Sequence, residues 1–427
     1  MQSNTKIVER DIFPSLVKHL SQKEITLLIG ARQAGKTTLM KELRRHLIEG
    51  RGALENNIYF FNLDIFSDQD VFISQEKFIN FLRERTENNN FIYVFIDEAQ
   101  RIKNAGLFIK GVYDLGLPVK LILSGSSTLE LKSQFQESLT GRKQIFYIPT
   151  LSWREFLRSK NEGLLKVLAL KNHTSEENFL LDKFLKEFLV YGGYPRVAIE
   201  TAKIRKQEIL GEIYSSYIEK DVVGFLKIAE PEYFSNLVKI LSTQNGELTN
   251  SSNLASEANL NPRSIDKYVY YLEQTFVIRR LKPFFTNAKK ELVKMPKIYF
   301  NDVGLRNFSL ASFSAWEQRS DRGSLLENFV FNELQNQLNA GEKINYWRSK
   351  DGAEVDFVLR RNEQIIPIEV KNFMEQFKYS KSYALFMEKY KIKNGYIITL
   401  NGNGEKRKYD GTEIEFLNIY NLNAIKT

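Results

Sequence analysis

Among its 427 residues the chain has no cysteine, which excludes disulfides, thiolate nucleophiles, iron–sulfur clusters and every cysteine zinc site. Histidine is almost as scarce: only His19, His46 and His173 occur, far apart and without ligand spacing. A histidine metal centre or a serine–histidine hydrolase is therefore not expected. Met1 to Arg10 carry no apolar run of the signal-peptide kind, and no apolar stretch nears the ~18 residues of a membrane span. A soluble, cytoplasmic chain with no membrane contact is the expectation. Repeats, low-complexity tracts and an Asn-Lys-x-Asp guanine-reading motif are missing too.

What is present suits packed globular domains, with 43% hydrophobic and 26% charged residues, and the length suggests two to four of them. Lysine and arginine total 61 against 52 acidic residues, a net charge of +9. That mild excess is compatible with phosphate or nucleic-acid binding and equally with solvated lysines.

Four segments differ in pattern. Residues 1–150 alternate helix-like sequence with apolar runs at Glu24–Ile29, Ile58–Leu63, Phe91–Ile96 and Lys120–Leu123. Runs apolar throughout are expected of strands buried on both faces of a parallel sheet. Residues 151–229 carry helical leucine and phenylalanine spacing, broken at Gly192-Gly193-Tyr194-Pro195 and resumed over Ile204–Phe225, and read as a helical lid. Residues 230–308 offer helices at Glu232–Thr243, Ser251–Ala258 and Arg263–Gln274, then β-like segments Phe276–Pro283 and Glu291–Phe300, the outline of a winged helix-turn-helix. Residues 309–427 mix a helix, Leu325–Leu338, with strands near Ile344–Trp347, Val355–Leu359, Ile365–Lys371 and Tyr396–Leu400.

Gly30-Ala31-Arg32-Gln33-Ala34-Gly35-Lys36-Thr37 fits G-x-x-x-x-G-K-[ST] between a strand and a helix. Such a turn aims consecutive N–H groups inward at phosphate, and the helix N-terminus adds its field. Lys36 is expected on the β- and γ-phosphates and Thr37 on Mg²⁺, with Thr38 completing the segment. The strand Ile92–Ile96 delivers Asp97 toward the metal and places Glu98 to polarise the attacking water. The acidic pair favours hydrolysis, and without a guanine motif ATP is the expected nucleotide. Ser124 or Ser126, after a further strand, is placed to sense the γ-phosphate. Arg142, after Gly141, is a candidate transition-state cation, in cis or from a neighbouring subunit of a homo-oligomer.

Gly30–Thr38, Ile96–Gln100, Leu123–Ser127, Thr140–Arg142, Leu151–Phe156 and Gly192–Pro195 occur in the order of a known family. The chain resembles the AAA-like prokaryotic ATPases of the additional-strand, catalytic-glutamate class that carry a C-terminal domain of unknown function. That resemblance spans nearly the whole chain. It implies ATP binding, hydrolysis, a helical lid, a winged helix and a nuclease-like end, and no particular biological role.

In the last segment Glu327 lies on a helix, Asp356 on one strand, and Glu369 and Lys371 two apart on the next, hence on one face. This set resembles the PD-(D/E)XK nuclease core, which implies Mg²⁺ held by acids beside a lysine. Three crowded acids repel unless a cation sits between them. An ordinary same-face ion pair accounts for Glu369 and Lys371 alone. Arg263, Lys267 and Tyr271 on the third helix, with Arg279, Arg280, Lys282, Lys289, Lys290, Lys294 and Lys297 on the following hairpin, make DNA a candidate partner. The expected whole is α/β: a P-loop NTPase parallel sheet with a helical lid, a winged helix-turn-helix and a PD-(D/E)XK-like α/β domain. The other reading, a nucleotide-gated regulatory or defence module with negligible turnover, stays open.

Overall fold

A computed structural model describes residues 7–126, 135, 138–168, 173–216, 231–285, 295–362, 364–409 and 411–425. Ser127, Lys289, Lys290, Lys294 and residues 217–225 of the expected Ile204–Phe225 helix lie outside the described residues, as does the Ser126 side chain. The chain divides into two compact units, Met1–Leu151 with Gln274–Val277, and Ser152–Glu273 with Ile278–Thr427.

The first unit is a five-stranded parallel sheet of β1 (Ile25–Gly30), β2 (Ile58–Asn62), β3 (Ile92–Asp97), β4 (Val119–Ser126) and β5 (Lys143–Ile148), in the order β2-β3-β4-β1-β5. Alternation explains why its strands are apolar throughout. Leu27, Ile29, Val94, Ile96, Leu121 and Leu123 point to one face, packed with Phe78 and Leu82 of α4 (Gln75–Arg85) and Ile109 and Val112 of α5 (Ala105–Asp114). Leu28, Phe95 and Ile122 point to the other, against Leu16 of α1 (Phe13–His19) and Met40 and Leu43 of α2 (Lys36–Arg51). Each fully buried side chain of this kind contributes about 1.5–3 kcal/mol. A short helix α3 (Phe66–Gln69) follows β2. Strand β4 lies between β1 and β3. Strand β5 carries no clear sequence signal, because an edge strand that opens Lys143-Gln144 and leaves Tyr147 exposed has no continuous apolar run.

The second unit begins with α6 (Trp153–Lys160), α7 (Gly163–Val167), α8 (Ser175–Tyr191), α9 (Pro195–Ile199) and α10 (Lys203–Tyr214). Helix α6 opens with a capping box: the Glu155 N–H donates to Ser152 Oγ at 3.3 Å and the Ser152 N–H to Glu155 Oε2 at 3.0 Å. Trp153 is buried against Phe156, Phe188, Phe329 and Tyr420, and its backbone N–H donates to Glu333 Oε1 at 2.9 Å. The helices expected as a lid thus share a core with the chain's last hundred residues. The Gly193 N–H donates to Asp302 Oδ2 at 2.8 Å while Asp302 Oδ1 accepts from Leu305 N–H at 3.1 Å, so the Gly-Gly-Tyr-Pro segment is a packing joint between α8 and α14 (Val303–Ser309).

Helices α11 (Pro231–Thr243), α12 (Ser251–Ala258) and α13 (Pro262–Gln274) precede an antiparallel ladder of β6 (Ile278–Leu281) and β7 (Lys297–Phe300). Helix α15 (Arg322–Asn336) then packs on a mixed sheet of order β12-β13-β11-β10-β9-β8. Its strands are β8 (Lys343–Arg348), β9 (Glu354–Arg361), β10 (Gln364–Lys371), β11 (Asn394–Thr399), β12 (Glu405–Tyr409) and β13 (Thr412–Asn418), with α16 (Lys381–Tyr390) joining β10 to its parallel partner β11.

A Cβ at Gly30 would overlap the Ile148 carbonyl oxygen, where β5 lies against β1. Gly30→Ala is expected to destabilise the first unit by about 1–3 kcal/mol, the usual cost of overpacking, read from urea denaturation; an unchanged midpoint would show that β5 yields freely.

Candidate phosphate-binding site

The loop from Gly30 to Lys36 leaves the carboxyl end of β1, the end at which open α/β sheets bind ligands. Gly35 caps α2 with φ 99°, a left-handed conformation natural to glycine, and Gln33 takes φ 59°. Arg10, which the sequence reading did not single out, is 5% exposed and fastens the loop from below. It donates to the Ala34 carbonyl at 2.8 Å and the Pro149 carbonyl at 2.7 Å, tying the phosphate loop to the end of β5. No local motif announces it; the signal is an arginine that must be buried beside carbonyls lacking strand partners.

Lys36 is 6% exposed and donates to the Gly30 and Ala31 carbonyls, each at 2.9 Å. Burial lowers its pKa from 10.5 to about 8, with Glu98 and Asp97 opposing and Arg32 assisting. Thr37 Oγ1 donates to Asp97 Oδ2 at 2.7 Å, and Ser124 Oγ donates to Asp97 Oδ1. The Glu98 N–H lies 3.2 Å from Asp97 Oδ1 and 3.3 Å from Ser124 Oγ. Asp97 and Ser124 stand at the ends of the neighbouring strands β3 and β4, and both are buried. Ser124 therefore holds Asp97, where the sequence suggested a phosphate sensor. Glu98 adopts φ 57°, a left-handed conformation uncommon for a non-glycine residue, and its carboxylate accepts a hydrogen bond from Gln100 Nε2. The geometry thus gathers the loop, Thr37, Asp97, Glu98 and Ser124 at one end of the sheet. A hydroxyl beside a carboxylate suits Mg²⁺, which takes oxygen ligands and keeps several waters.

Arg142 does not join them. Its carbonyl accepts from the Ile25 N–H at 2.9 Å, at the amino end of β1, and its guanidinium binds Asp114 at 2.7 Å. From there the loop lies at the other end of β1, roughly 16 Å away at ~3.3 Å per residue. A cis role at the protein's own phosphate loop is excluded by that placement; the sequence order Gly141-Arg142 says nothing about which end of the strand it marks.

The C-terminal residues do meet. Asp356 on β9 and Glu369 on β10 are set side by side by the antiparallel register, the Val370 N–H donates to Asp356 Oδ2 at 2.7 Å, and Glu327 approaches from α15. Lys371 Nζ binds Glu369 Oε1 at 2.7 Å. Among the described residues no group of three or more histidine or acidic side chains is arranged to hold a metal ion, contrary to the Mg²⁺ site that the nuclease resemblance implied here. A lysine missed by that reading intervenes: Lys297 Nζ lies 3.1 Å from Glu327 Oε1 and 2.6 Å from Glu354 Oε1. Of the basic residues expected to meet DNA, Lys297 is buried here, Arg280 pairs with Glu273 at 2.5 Å and Arg279 donates to Gln335 at 2.8 Å; Arg263 and Lys267 are exposed.

Residues 22–157 match a family described as an AAA domain, and residues 182–316 and 322–421 match two domains of unknown function, DUF8612 and DUF4143. An uncharacterized protein of Haemophilus influenzae is 25% identical over 86% of this chain and 87% of its own length. One from Methanocaldococcus jannaschii is 27% identical over 96% of this chain and 88% of its own. Among solved structures, the Walker-type ATPase PABY2304 of Pyrococcus abyssi aligns with TM-score 0.48 at 16% identity, covering 71% of this chain and 96% of that one. The chain thus joins a P-loop AAA-like ATPase domain, of the class that binds and hydrolyses ATP, to a C-terminal domain of the DUF4143 type.

Because Lys36 has a pKa of about 8 and phosphate binding needs it charged, ATP affinity should fall as pH rises through 8. The expected loss approaches tenfold per pH unit above that value. Titrating labelled ATP at pH 7, 8 and 9 checks it; flat affinity would mean that the lysine charge does not contribute.

Proposed function

We propose that the chain is a Mg²⁺-dependent ATP hydrolase acting as a molecular switch, in which the nucleotide state of the first unit governs the second. The supporting observation is the hydrogen-bond chain Thr37–Asp97–Ser124 beside Glu98 and Lys36. Gly30 to Thr38 bind the triphosphate through backbone N–H groups. Thr37 and Asp97 are the residues that would hold Mg²⁺, whose chemistry is neutralisation of phosphate charge. Lys36 moves its ammonium from the loop carbonyls to phosphate oxygens, and Glu98 orients the attacking water and takes up its proton.

In this reading residues 151–229 serve as the lid, 230–308 as a winged helix-turn-helix and 309–427 as the nuclease-like end of a cytoplasmic, self-associating protein. Arg142, pointing away from its own loop, serves a neighbouring copy. A second reading, a nucleotide-gated module with negligible turnover, draws support from the hydrogen bond that Gln100 places on the Glu98 carboxylate. Lys36→Ala is expected to abolish ATP binding. Glu98→Gln should bind ATP normally and lose roughly 10²-fold or more in single-turnover hydrolysis, the usual scale for losing a general base. Negligible hydrolysis by wild type would favour the second reading, and full turnover by Glu98→Gln would show that Glu98 is not the base.

DNA contact by the exposed Arg263 and Lys267 of α13 is part of the proposal. Replacing both with glutamate should weaken binding of a duplex and flatten its salt dependence by about two counterions. An unchanged gel shift would remove α13 from the interface.

A further inference from the structure

The acidic cluster of the second unit has a cation, and it belongs to the protein. Lys297 comes from β7, outside the mixed sheet, and its side chain is 4% exposed among carboxylates from α15 and β9. Its ammonium binds Glu354 at 2.6 Å and Glu327 at 3.1 Å. Those two acids, with Asp356, hold its charge on strongly enough to raise its pKa despite burial. Several of the other carboxylate oxygens are engaged as well. Tyr299 Oη donates to the Glu327 oxygen that Lys297 holds, and Arg348 binds Glu354 Oε2 at 2.9 Å. The Val370 N–H donates to Asp356 at 2.7 Å. Glu369 receives Lys371 Nζ at 2.7 Å on one oxygen and Ser380 Oγ at 3.1 Å on the other. Mg²⁺ requires several oxygens at about 2.0–2.1 Å, and a buried ammonium in their midst repels a second cation.

The strand that supplies Lys297 is stitched to the sheet elsewhere. Tyr346 on β8 donates from Oη to the Met295 carbonyl at 2.6 Å and from its N–H to the Lys282 carbonyl at 3.1 Å, and its own carbonyl accepts from the Phe284 N–H at 2.5 Å. Both arms of the β6–β7 ladder are therefore fastened along β8, with Lys297 as the charged peg between them and the acids.

We propose that the Lys297 ammonium takes the place of the metal ion in the nuclease-like fold, so that the acidic cluster docks the β6–β7 ladder and does not cut nucleic acid. Removing the ammonium leaves uncompensated carboxylates that a divalent ion can then bridge. The test is electron paramagnetic resonance titration of nucleotide-free, full-length protein with Mn²⁺. Wild type and Asp356→Asn should bind the same amount of Mn²⁺. Lys297→Met should bind one additional ion per chain, lost again in Lys297→Met/Asp356→Asn, while Lys297→Arg should behave as wild type. Supercoiled plasmid should stay intact with wild type in Mg²⁺ or Mn²⁺. The proposal is overturned if Asp356→Asn removes a bound Mn²⁺ from wild type, if wild type cleaves plasmid and Asp356→Asn does not, or if Lys297→Met takes up no extra ion. Should Lys297→Met fail to fold, the wild-type and Asp356→Asn comparison decides by itself.

Discussion

A charge cannot be taken out of water alone, and the arrangement of both units follows from how two buried ammonium groups are compensated. At the phosphate loop, Lys36 rests on two carbonyls that the turn itself exposes, close to Asp97 and Glu98. Carbonyl dipoles offset burial only in part, so its pKa falls. In the second unit Lys297 sits among full carboxylates, and its pKa rises. One ammonium rests on two carbonyls, an arrangement that suits the proposed exchange of its partners for phosphate. The other is held tightly and has no reason to leave.

That contrast distinguishes the polar chemistry of the two units. The first gathers its polar groups at the end of a rigid parallel sheet, where Asp97 is locked by a hydroxyl from α2 and another from β4. Inserting β4 between β1 and β3 is what brings Ser124 to Asp97, so the sheet order is part of the site. Arg10 and the close approach of β5 at Gly30 brace the loop from its far side. In the second unit the polar residues with the spacing of a metal site make internal bonds, and the helices read as a lid share its aromatic core through Trp153.

Much of this was legible beforehand. Gly30 to Thr37 and Asp97-Glu98 announce themselves because local backbone geometry and strand ends dictate residue type within a few positions. The Asp356, Glu369 and Lys371 pattern likewise gave a correct strand pair, since hairpin register follows from alternation. Strand β5 was missed because an edge strand is only half buried, and β12 and β13 for the same want of continuous apolar runs. Whether Arg142 faces its own loop was left open by the sequence, because a motif records order along the chain and not the end of the sheet at which it falls.

Sequence alone determined where the candidate phosphate site lies, because a tight glycine turn, a lysine and an acidic strand end are neighbours along the chain or obey strand periodicity. Tertiary structure alone decided what neutralises the C-terminal acids and what braces the loop. Lys297 meets Glu327 and Glu354, and Arg10 meets Ala34 and Pro149, only after distant segments pack. Electrostatic energy depends on separation in space, and separation along the chain carries almost none of that information.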